Sequence, residues 1–166
     1  MGGKLDKHAL LEALKDELSS EITRSTRRAL EAAEAATHEE NRSEGDKDTR
    51  ATEASYVARG QAERVHELEK TLAKLSSVAV KDFGKSTAIE ASAIVEIEHG
   101  APAKKTMYFV VPAGGGVRLR AGGFEVLSLA TTSPLGGAIL GLAEGDEAEV
   151  EGPQGTTKSY TILSVR

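Results

Sequence analysis

Apolar residues recur in steps of three and four along the first 76 residues, which is the spacing of one face of an α-helix. On the first arm this stripe comprises Leu11, Leu14, Leu18, Ile22, Ser25, Ala29, Ala32 or Ala33, and Ala36. On the second arm it comprises Ala54, Ala58, Gln61 or Ala62, Val65, Leu68, Leu72 and Leu75. The spacing predicts two long helices, the first over residues 5–41.

The two arms are separated by the segment NRSEGDKDTR, residues 41–50. Asn41, Ser43, Gly45 and Thr49 favour turns and helix caps over helix interiors. A dimerising coiled coil would carry the same apolar stripe, and periodicity alone does not separate it from a hairpin. The central break favours an antiparallel helical hairpin, because a continuous coiled coil has no use for turn residues at its centre.

The composition of the seam predicts the shape of this hairpin. An antiparallel arrangement places leucines opposite each other at the open end and alanines opposite each other near the turn. Small residues let helices approach to about 8 Å, so the hairpin should be thick at its base and slim near its turn. At 1.5 Å per residue the first arm would be roughly 55 Å long. Because alanine buries little apolar surface, stability should fall toward the turn.

The second half alternates apolar and polar residues in short runs, which is the pattern of β-strands. The runs are AIVEIE (93–98), MYFVV (107–111), VRLR (117–120), FEVLSL (124–129), AEVE (148–151) and YTILSV (160–165). Glycine- and proline-bearing turns join them, which indicates an antiparallel sheet. Ser133 can cap a helix with Pro134 at its first position, so one short helix is expected from about 134 to 141. The fold class is therefore α+β.

Composition changes sharply near residue 77, because all four prolines and thirteen of the seventeen glycines follow residue 76. We therefore predict two domains, residues 1–76 and 77–166.

The formal net charge of −5 argues against a chain that binds nucleic acid with its whole surface. There are no cysteines, which excludes disulfides and thiolate metal sites. No run has the length of a secretory signal or a membrane span, so a cytoplasmic protein without a membrane partner is expected.

The turn between the arms is rich in acids. Together with its flanks, over residues 38–53, it has six carboxylates: Glu39, Glu40, Glu44, Asp46, Asp48 and Glu53. Acidic residues at such a turn are most often solvated charges, so they identify no function by themselves.

The run SPLGGAILGLAEGDEAEVEGPQGTTKSYTILSV, residues 133–165, makes the resemblance specific. It is similar to the end of the bacterial Gre transcription elongation factors, with Ser-Pro, a small residue, Leu/Ile-Gly, Gly-Asp, a strand, Pro-x-Gly and a final strand containing an aromatic residue. The first half resembles that family's coiled-coil hairpin in order, position and approximate length. The resemblance implies a coiled-coil hairpin over 1–76, with its tip near 41–50, and a small FKBP-like sheet domain over 77–166.

The resemblance also implies a function. Gre factors pass their hairpin through the secondary channel of RNA polymerase, where tip acids help to hold the second Mg²⁺ and orient a water that cleaves backtracked RNA. Carboxylates suit this task, because Mg²⁺ prefers hard oxygen ligands and keeps several waters. The protein would be a monomer that binds no cofactor alone, shares Mg²⁺ with the polymerase active site, and has no catalytic activity of its own. Its partners would be RNA polymerase and the nascent RNA.

The tip of this chain departs from the family pattern, which has an Asp after a Gly and a Glu about three residues after that Asp. If Gly45–Asp46 is matched to the Gly-Asp pair, Thr49 takes the place of the Glu. If Ala58–Arg59 is used to align the return arm, Asp48 takes the Asp position and Ala51 the Glu position. Neither alignment recovers both acids, and the hairpin is slightly shorter than the family's.

A substitute pair of acids is therefore considered. Glu44 and Asp48 would share a face of a continuing helix, and Asp46 and Asp48 would share a side of an extended turn. Asp48 belongs to both pairs and ranks first, followed by Asp46 and Glu44. The remaining acids lie lower on the stalk and are expected to be solvated or paired with Arg42 and Arg50: Glu39, Glu40 and Glu53.

Two further sets of residues are candidates. Arg24, Arg27 and Arg28 form a basic cluster on the first arm that, by analogy with Gre hairpins, would contact RNA, although a solvated face explains it equally well. The resemblance implies that the C-terminal domain docks outside the channel mouth through Ser133, Pro134 and Leu135, for which helix capping is the alternative role.

Two other functions remain open. One is a channel-binding regulator of initiation or pausing that does not stimulate cleavage, which the incomplete acid pair favours. The other is a prolyl isomerase or chaperone built on the FKBP-like domain. The chain is only 4% aromatic, which speaks against the second, because such pockets are lined with rings.

Overall fold

The computed structural model of the protein describes residues 5–40 and 47–166, without the side chains of residues 39, 40, 47 and 48. These residues form two compact units. One, the helical unit, is Asp16–Ala73. The other, the sheet unit, comprises Lys74–Arg166 together with the beginning of the first helix, up to Lys15. Whether 1–76 folds as a domain separate from 77–166 stays a prediction.

Two long helices form the predicted hairpin, which confirms this part of the fold. Helix α1 spans Lys7–Glu40 and helix α2 spans Lys47–Ser76. Helix α1 begins two residues later than predicted because Asp6 caps it. The Asp6 carboxylate accepts hydrogen bonds from the backbone N–H groups of His8, at 2.9 Å, and Ala9, at 3.2 Å. These bonds satisfy two of the donors that a helix leaves free at its N-terminus.

Burial along the helices follows the predicted stripe. Leu14 and Leu75 are fully buried in the unit that contains residues 74–166, while Leu18 and Leu68 are buried in the helical unit 16–73. Periodicity allowed either Ala32 or Ala33 on the first arm and either Gln61 or Ala62 on the second. Ala32 and Gln61 are partly buried, whereas Ala33 and Ala62 are exposed. Near the turn the buried residues are Ala36 and Ala51. The Leu-to-Ala gradient of the seam is therefore present on both arms.

All six predicted strands are present and form one sheet in the order β3-β4-β2-β1-β6-β5. Their bounds are β1 Ile94–His99, β2 Lys104–Val111, β3 Arg118–Ala121, β4 Phe124–Ala130, β5 Glu147–Glu151 and β6 Thr157–Val165. A short 3₁₀ turn that the sequence analysis missed, Pro153–Gly155, lies between β5 and β6. The sheet and the hairpin together confirm the α+β class.

One strand pair differs from the predicted antiparallel sheet, because β2 and β4 are parallel. After β2 the chain does not form the adjacent strand directly. It crosses to the edge of the sheet, where it forms β3, and the β3–β4 hairpin then places β4 between β3 and β2. Ser128, which is buried, holds this loop. Its hydroxyl donates to the Gly114 carbonyl at 2.6 Å and accepts from the Val117 N–H at 3.0 Å. A buried side chain thus stabilises the crossover that makes the pair parallel.

The short helix α3, Pro134–Ile139, belongs to the same unit as the sheet. It ends two residues before the predicted limit because Leu140 has an extended ψ of 132° and Gly141 a φ of +81°. Ile139 is fully buried in the core of the sheet unit. That core comprises Ile89, Ala93, Val95, Ile97, Tyr108, Val110, Leu129, Ile139, Ala148, Ile162 and Val165.

Candidate functional site

The start of α3 is built around the Ser133 side chain. Ser133 has an extended backbone, with φ −74° and ψ 158°, and its hydroxyl accepts from the Gly136 N–H at 3.0 Å. The same hydroxyl donates to the Ala130 carbonyl at 2.7 Å. Pro134 follows at the first helical position, where a missing N–H has no cost. The capping role of Ser133 is therefore confirmed, and its polar atoms are occupied within the domain.

Gly136 makes this arrangement sterically possible. A Cβ on Gly136 would lie 1.9 Å from the Ala130 carbonyl oxygen and 2.9 Å from the Ser133 hydroxyl oxygen. A Cβ on Gly115 would lie 2.8 Å from the Ala130 backbone nitrogen. Gly136 of α3 and Gly115 of the loop between β2 and β3 therefore both pack against the backbone of Ala130, the residue that ends β4. The position of α3 depends on this close approach.

The exposed surface of α3 differs from the predicted set. Leu135 is partly buried and packs against the core cluster, so part of its side chain contacts the core and is not exposed to solvent. Pro134 is exposed, and Leu140 is 40% exposed immediately after the helix. Leu140 was not among the predicted surface residues, because the sequence places it within the predicted helix. The extended backbone that follows Ile139 leaves this side chain accessible.

Replacing Ser133 with alanine should destabilise the C-terminal domain. Loss of an N-cap typically costs about 1 kcal/mol, which corresponds to a fall of about 4–8 °C in Tm for a domain of this size. Thermal unfolding followed by near-UV circular dichroism would measure the effect. Ser133→Thr retains a hydroxyl and should recover most of the loss. An unchanged Tm in Ser133→Ala would contradict the importance of the cap.

The basic cluster on α1 is partly neutralised by acids one and two turns earlier. Arg24 contacts Glu17 at 3.0 Å and Glu21 at 2.9 Å, and Arg28 lies 3.7 Å from Glu21. The hydrogen bond to Arg24 lowers the pKa of Glu21. Hydrogen bonds to Glu17 and Glu21 raise the pKa of Arg24. These acidic partners were not predicted, although their spacing of three and seven residues from the arginines is visible in the sequence. Among the described residues Arg27 is exposed and makes no ion pair.

Most of the tip lies beyond what the structure describes. Glu44 and Asp46 fall outside the described residues, as does the side chain of Asp48, whose backbone lies in the first turn of α2. The side chains of Glu39 and Glu40 also fall outside the description, whereas Glu53 is exposed on α2 and makes no ion pair with any described residue. The choice among the predicted pairs of acids stays a prediction.

Within residues 5–40 and 47–166 no group of three His, Asp or Glu side chains is placed to hold a metal. No helix in these ranges is long and apolar enough to cross a membrane.

A cleft of about 870 Å³ lies in the sheet unit. It is lined by Phe83 and Phe124 together with the charged side chains of Lys7, Asp82 and Arg166. The Lys7 ammonium lies 4.4 Å from the centre of the Phe83 ring. The two rings therefore share the cleft with charges, unlike the ring-lined pocket expected of a prolyl isomerase.

Two comparisons with known proteins decide the family. The family model described as "Transcription elongation factor, GreA/GreB, C-term" matches residues 85–166. The transcription elongation factor GreA of Methylococcus capsulatus is 32% identical over 158 residues, which cover 93% of this chain and 92% of that protein. The chain belongs to the GreA/GreB family.

Solved structures were also matched. Gfh1 of Thermus aquaticus is 23% identical, with coverage of 93% of this chain and 95% of that one and a TM-score of 0.39. GreA/GreB from Nitrosomonas europaea is 22% identical, with coverage of 64% of this chain and 88% of that one and a TM-score of 0.37. The assignment to the GreA/GreB family rests on the family model and on the Methylococcus relative.

In this GreA/GreB-family protein the run that carried the resemblance, residues 133–165, contains the Ser133 cap, helix α3 and strands β5 and β6. Its Gly-Asp pair forms a turn before β5. The Asp146 carboxylate accepts from the Ala143 N–H at 2.8 Å, and Gly145 has a φ of +94°, which favours glycine. Several signature residues of the family therefore have identifiable structural roles in this domain.

Proposed function

We propose that this GreA/GreB-family protein is a transcription elongation factor that inserts its α1–α2 hairpin into the secondary channel of RNA polymerase and stimulates cleavage of backtracked RNA. The observation that supports this most is the position of the acids. In sequence, Glu44 and Asp46 lie between helices of 34 and 30 residues, and Asp48 is the second residue of the latter. At 1.5 Å per residue, α1 is about 51 Å long. A carboxylate at its far end could reach a deeply recessed active site.

The donor set suits the chemistry. Carboxylate oxygens are the hard ligands that Mg²⁺ prefers, and a polymerase that supplies its own ligands needs only one or two more. When bound, the shared Mg²⁺ would lower the pKa of a coordinated water and stabilise charge on the departing oxygen. This chain's part is to place Asp48, with Asp46 or Glu44, where their carboxylates hold and orient that water. The free protein would bind no cofactor and would act as a monomer in the cytoplasm.

A purified, artificially backtracked elongation complex with labelled RNA tests this proposal. Adding the intact protein should increase the rate of cleavage near the RNA 3′ end above the intrinsic rate of the polymerase. Binding of the protein to the same complex should be measured in parallel. Binding without faster cleavage would reject cleavage stimulation and favour a second function.

That second function is a regulator that occupies the channel without promoting cleavage, affecting initiation or pausing. Its support is the tip sequence, in which Thr49 or Ala51 stands at the position of the family's Glu, depending on the alignment. A prolyl isomerase has less support, because charged side chains share the cleft that holds Phe83 and Phe124. Faster cis–trans conversion of an Xaa-Pro model peptide would favour it.

The C-terminal domain would dock at the channel mouth through the region of Ser133, Pro134 and Leu135. Within this region the exposed Pro134 and the adjacent Leu140 offer apolar surface, whereas the Ser133 hydroxyl is engaged in capping and Leu135 packs partly inward. Pro134 and Leu140 are therefore the side chains most available to a partner.

Among the three arginines proposed to contact RNA, Arg27 should contribute most. Arg27→Ala is expected to weaken binding to a backtracked complex about three- to tenfold at low salt, because a phosphate contact is lost, and to reduce the dependence of affinity on salt. Arg24→Ala is the matched comparison and should have a smaller effect, since Glu17 and Glu21 already neutralise Arg24. Affinity measured at two salt concentrations would test both. Equal effects of the two variants would contradict this assignment.

A further inference from the structure

The apolar seam of the hairpin is interrupted by polar side chains near its middle. Ser25 is fully buried between seam positions that carry Ile22 and Ala29. Its hydroxyl donates to the Glu21 carboxylate at 3.3 Å, within its own helix. On α2 the side-chain oxygen of Gln61 is buried and has no hydrogen-bond partner among the described residues. A buried acceptor without a partner destabilises the packed state.

Ser25 and Gln61 take the same place on the two antiparallel arms. Leu18 precedes Ser25 by one heptad, and Leu68 follows Gln61 by one heptad, and both leucines are buried. In the other direction, the buried Ala36 and Ala51 each lie about three helical turns away. These matching spacings along the two arms indicate that the two polar residues share one layer of the hairpin.

Gly60 adds an independent weakness at this level. It lies inside α2 and has no left-handed φ, and a Cβ at this position would meet nothing within 4 Å. Neither a turn nor a close approach therefore requires glycine there. Glycine inside a helix weakens it because the unfolded backbone has more freedom to lose.

The seam also changes composition at the same layer. On the leucine side, residues 16–24 and 62–73 carry the larger apolar side chains Leu18, Ile22, Val65, Leu68 and Leu72. On the turn side every seam position within residues 26–38 and 49–59 is alanine: Ala29, Ala32, Ala36, Ala51, Ala54 and Ala58. Far less apolar area is buried per turn on the alanine side, so packing against the opposite arm stabilises it less.

We propose that Ser25, Gly60 and Gln61 form a joint that divides the hairpin into two cooperative units. The turn-side part, residues 26–40 and 47–59, opens by local unfolding while the leucine-side part, residues 16–24 and 62–73, stays folded. Local opening is expected where burial is small and the helix is weakened. This is a property of the free chain and does not depend on the proposed action on RNA polymerase.

Hydrogen exchange of the full chain, read by mass spectrometry, tests the joint. In the unmodified protein the turn-side amides should exchange at least about tenfold faster than the leucine-side amides. In Gly60→Ala/Gln61→Leu, turn-side exchange should slow by about tenfold or more and approach the leucine-side rate. Gly60→Ala alone, at an exposed position that adds no seam contact, should slow it by about fivefold.

Ala62→Leu is the matched control, because it introduces the same side chain at the neighbouring exposed position. It should leave turn-side exchange within about twofold of the unmodified protein, since no seam contact is gained. Equal exchange of the two parts in the unmodified protein would show a single cooperative hairpin and overturn the proposal. The same conclusion would follow if the double variant slowed turn-side exchange no more than Ala62→Leu does.

Discussion

Replacing Asp48 with alanine is expected to reduce the stimulation of RNA cleavage by about 100-fold, equivalent to about 2.7 kcal/mol in the barrier, with binding to the backtracked complex retained. Asp48 belongs to both substitute pairs of acids, so its loss leaves neither pair intact. Asp46→Ala should have a large effect only if the extended-turn pair is used, and Glu44→Ala only if the helical pair is used. The three variants together identify the partner of Asp48.

Two further variants separate metal ligation from charge and shape. Asp48→Asn keeps the size of the side chain and removes its negative charge, so it should lose as much stimulation as alanine if the carboxylate acts on Mg²⁺. Glu53→Ala is the control, because Glu53 is an exposed acid of α2 that pairs with no described residue. It should leave cleavage within about twofold. Full stimulation by Asp48→Ala would exclude a metal-directing role for Asp48.

Replacing Gly136 with alanine should be the most damaging single-methyl change in the C-terminal domain. The new Cβ would lie 1.9 Å from the Ala130 carbonyl oxygen, which also accepts from the backbone and the hydroxyl of Ser133. Relieving this clash requires α3 to move away from β4 and disturbs the cap. We expect a loss of about 3 kcal/mol or more, which lowers Tm by more than about 12 °C.

Gly137→Ala is a matched control one residue later in the same helix. Its Cβ would meet only the Thr131 carbonyl oxygen, at an ordinary distance of 3.6 Å. Because alanine favours helix, this variant should be neutral or more stable by up to about 1 kcal/mol. Near-UV circular dichroism can follow both variants through the tyrosines of this domain, Tyr108 and Tyr160. Similar Tm values for the two variants would contradict the steric argument.

The long helices and the six strands could be predicted from sequence because their signals are local. A period of three to four residues identifies the buried face of a helix, and alternation identifies a strand half-covered by a core. The Ser133–Pro134 pair indicated the start of α3 for the same reason, since a cap involves neighbouring residues. The family resemblance of residues 133–165 and the acidic character of the turn were also visible in the sequence.

Features that depend on distant residues required the tertiary structure. Helical periodicity allowed either Gln61 or Ala62 in the seam, and only the folded structure shows that Gln61 is partly buried and Ala62 exposed. The parallel β2–β4 pair depends on where the loop held by Ser128 returns the chain. Leu140 is exposed because α3 ends before it.

By itself the sequence determined the elements and their faces, because these follow from interactions between residues close in the chain. The tertiary structure decided strand order, seam occupancy and exposure, because these depend on contacts between residues far apart in the chain.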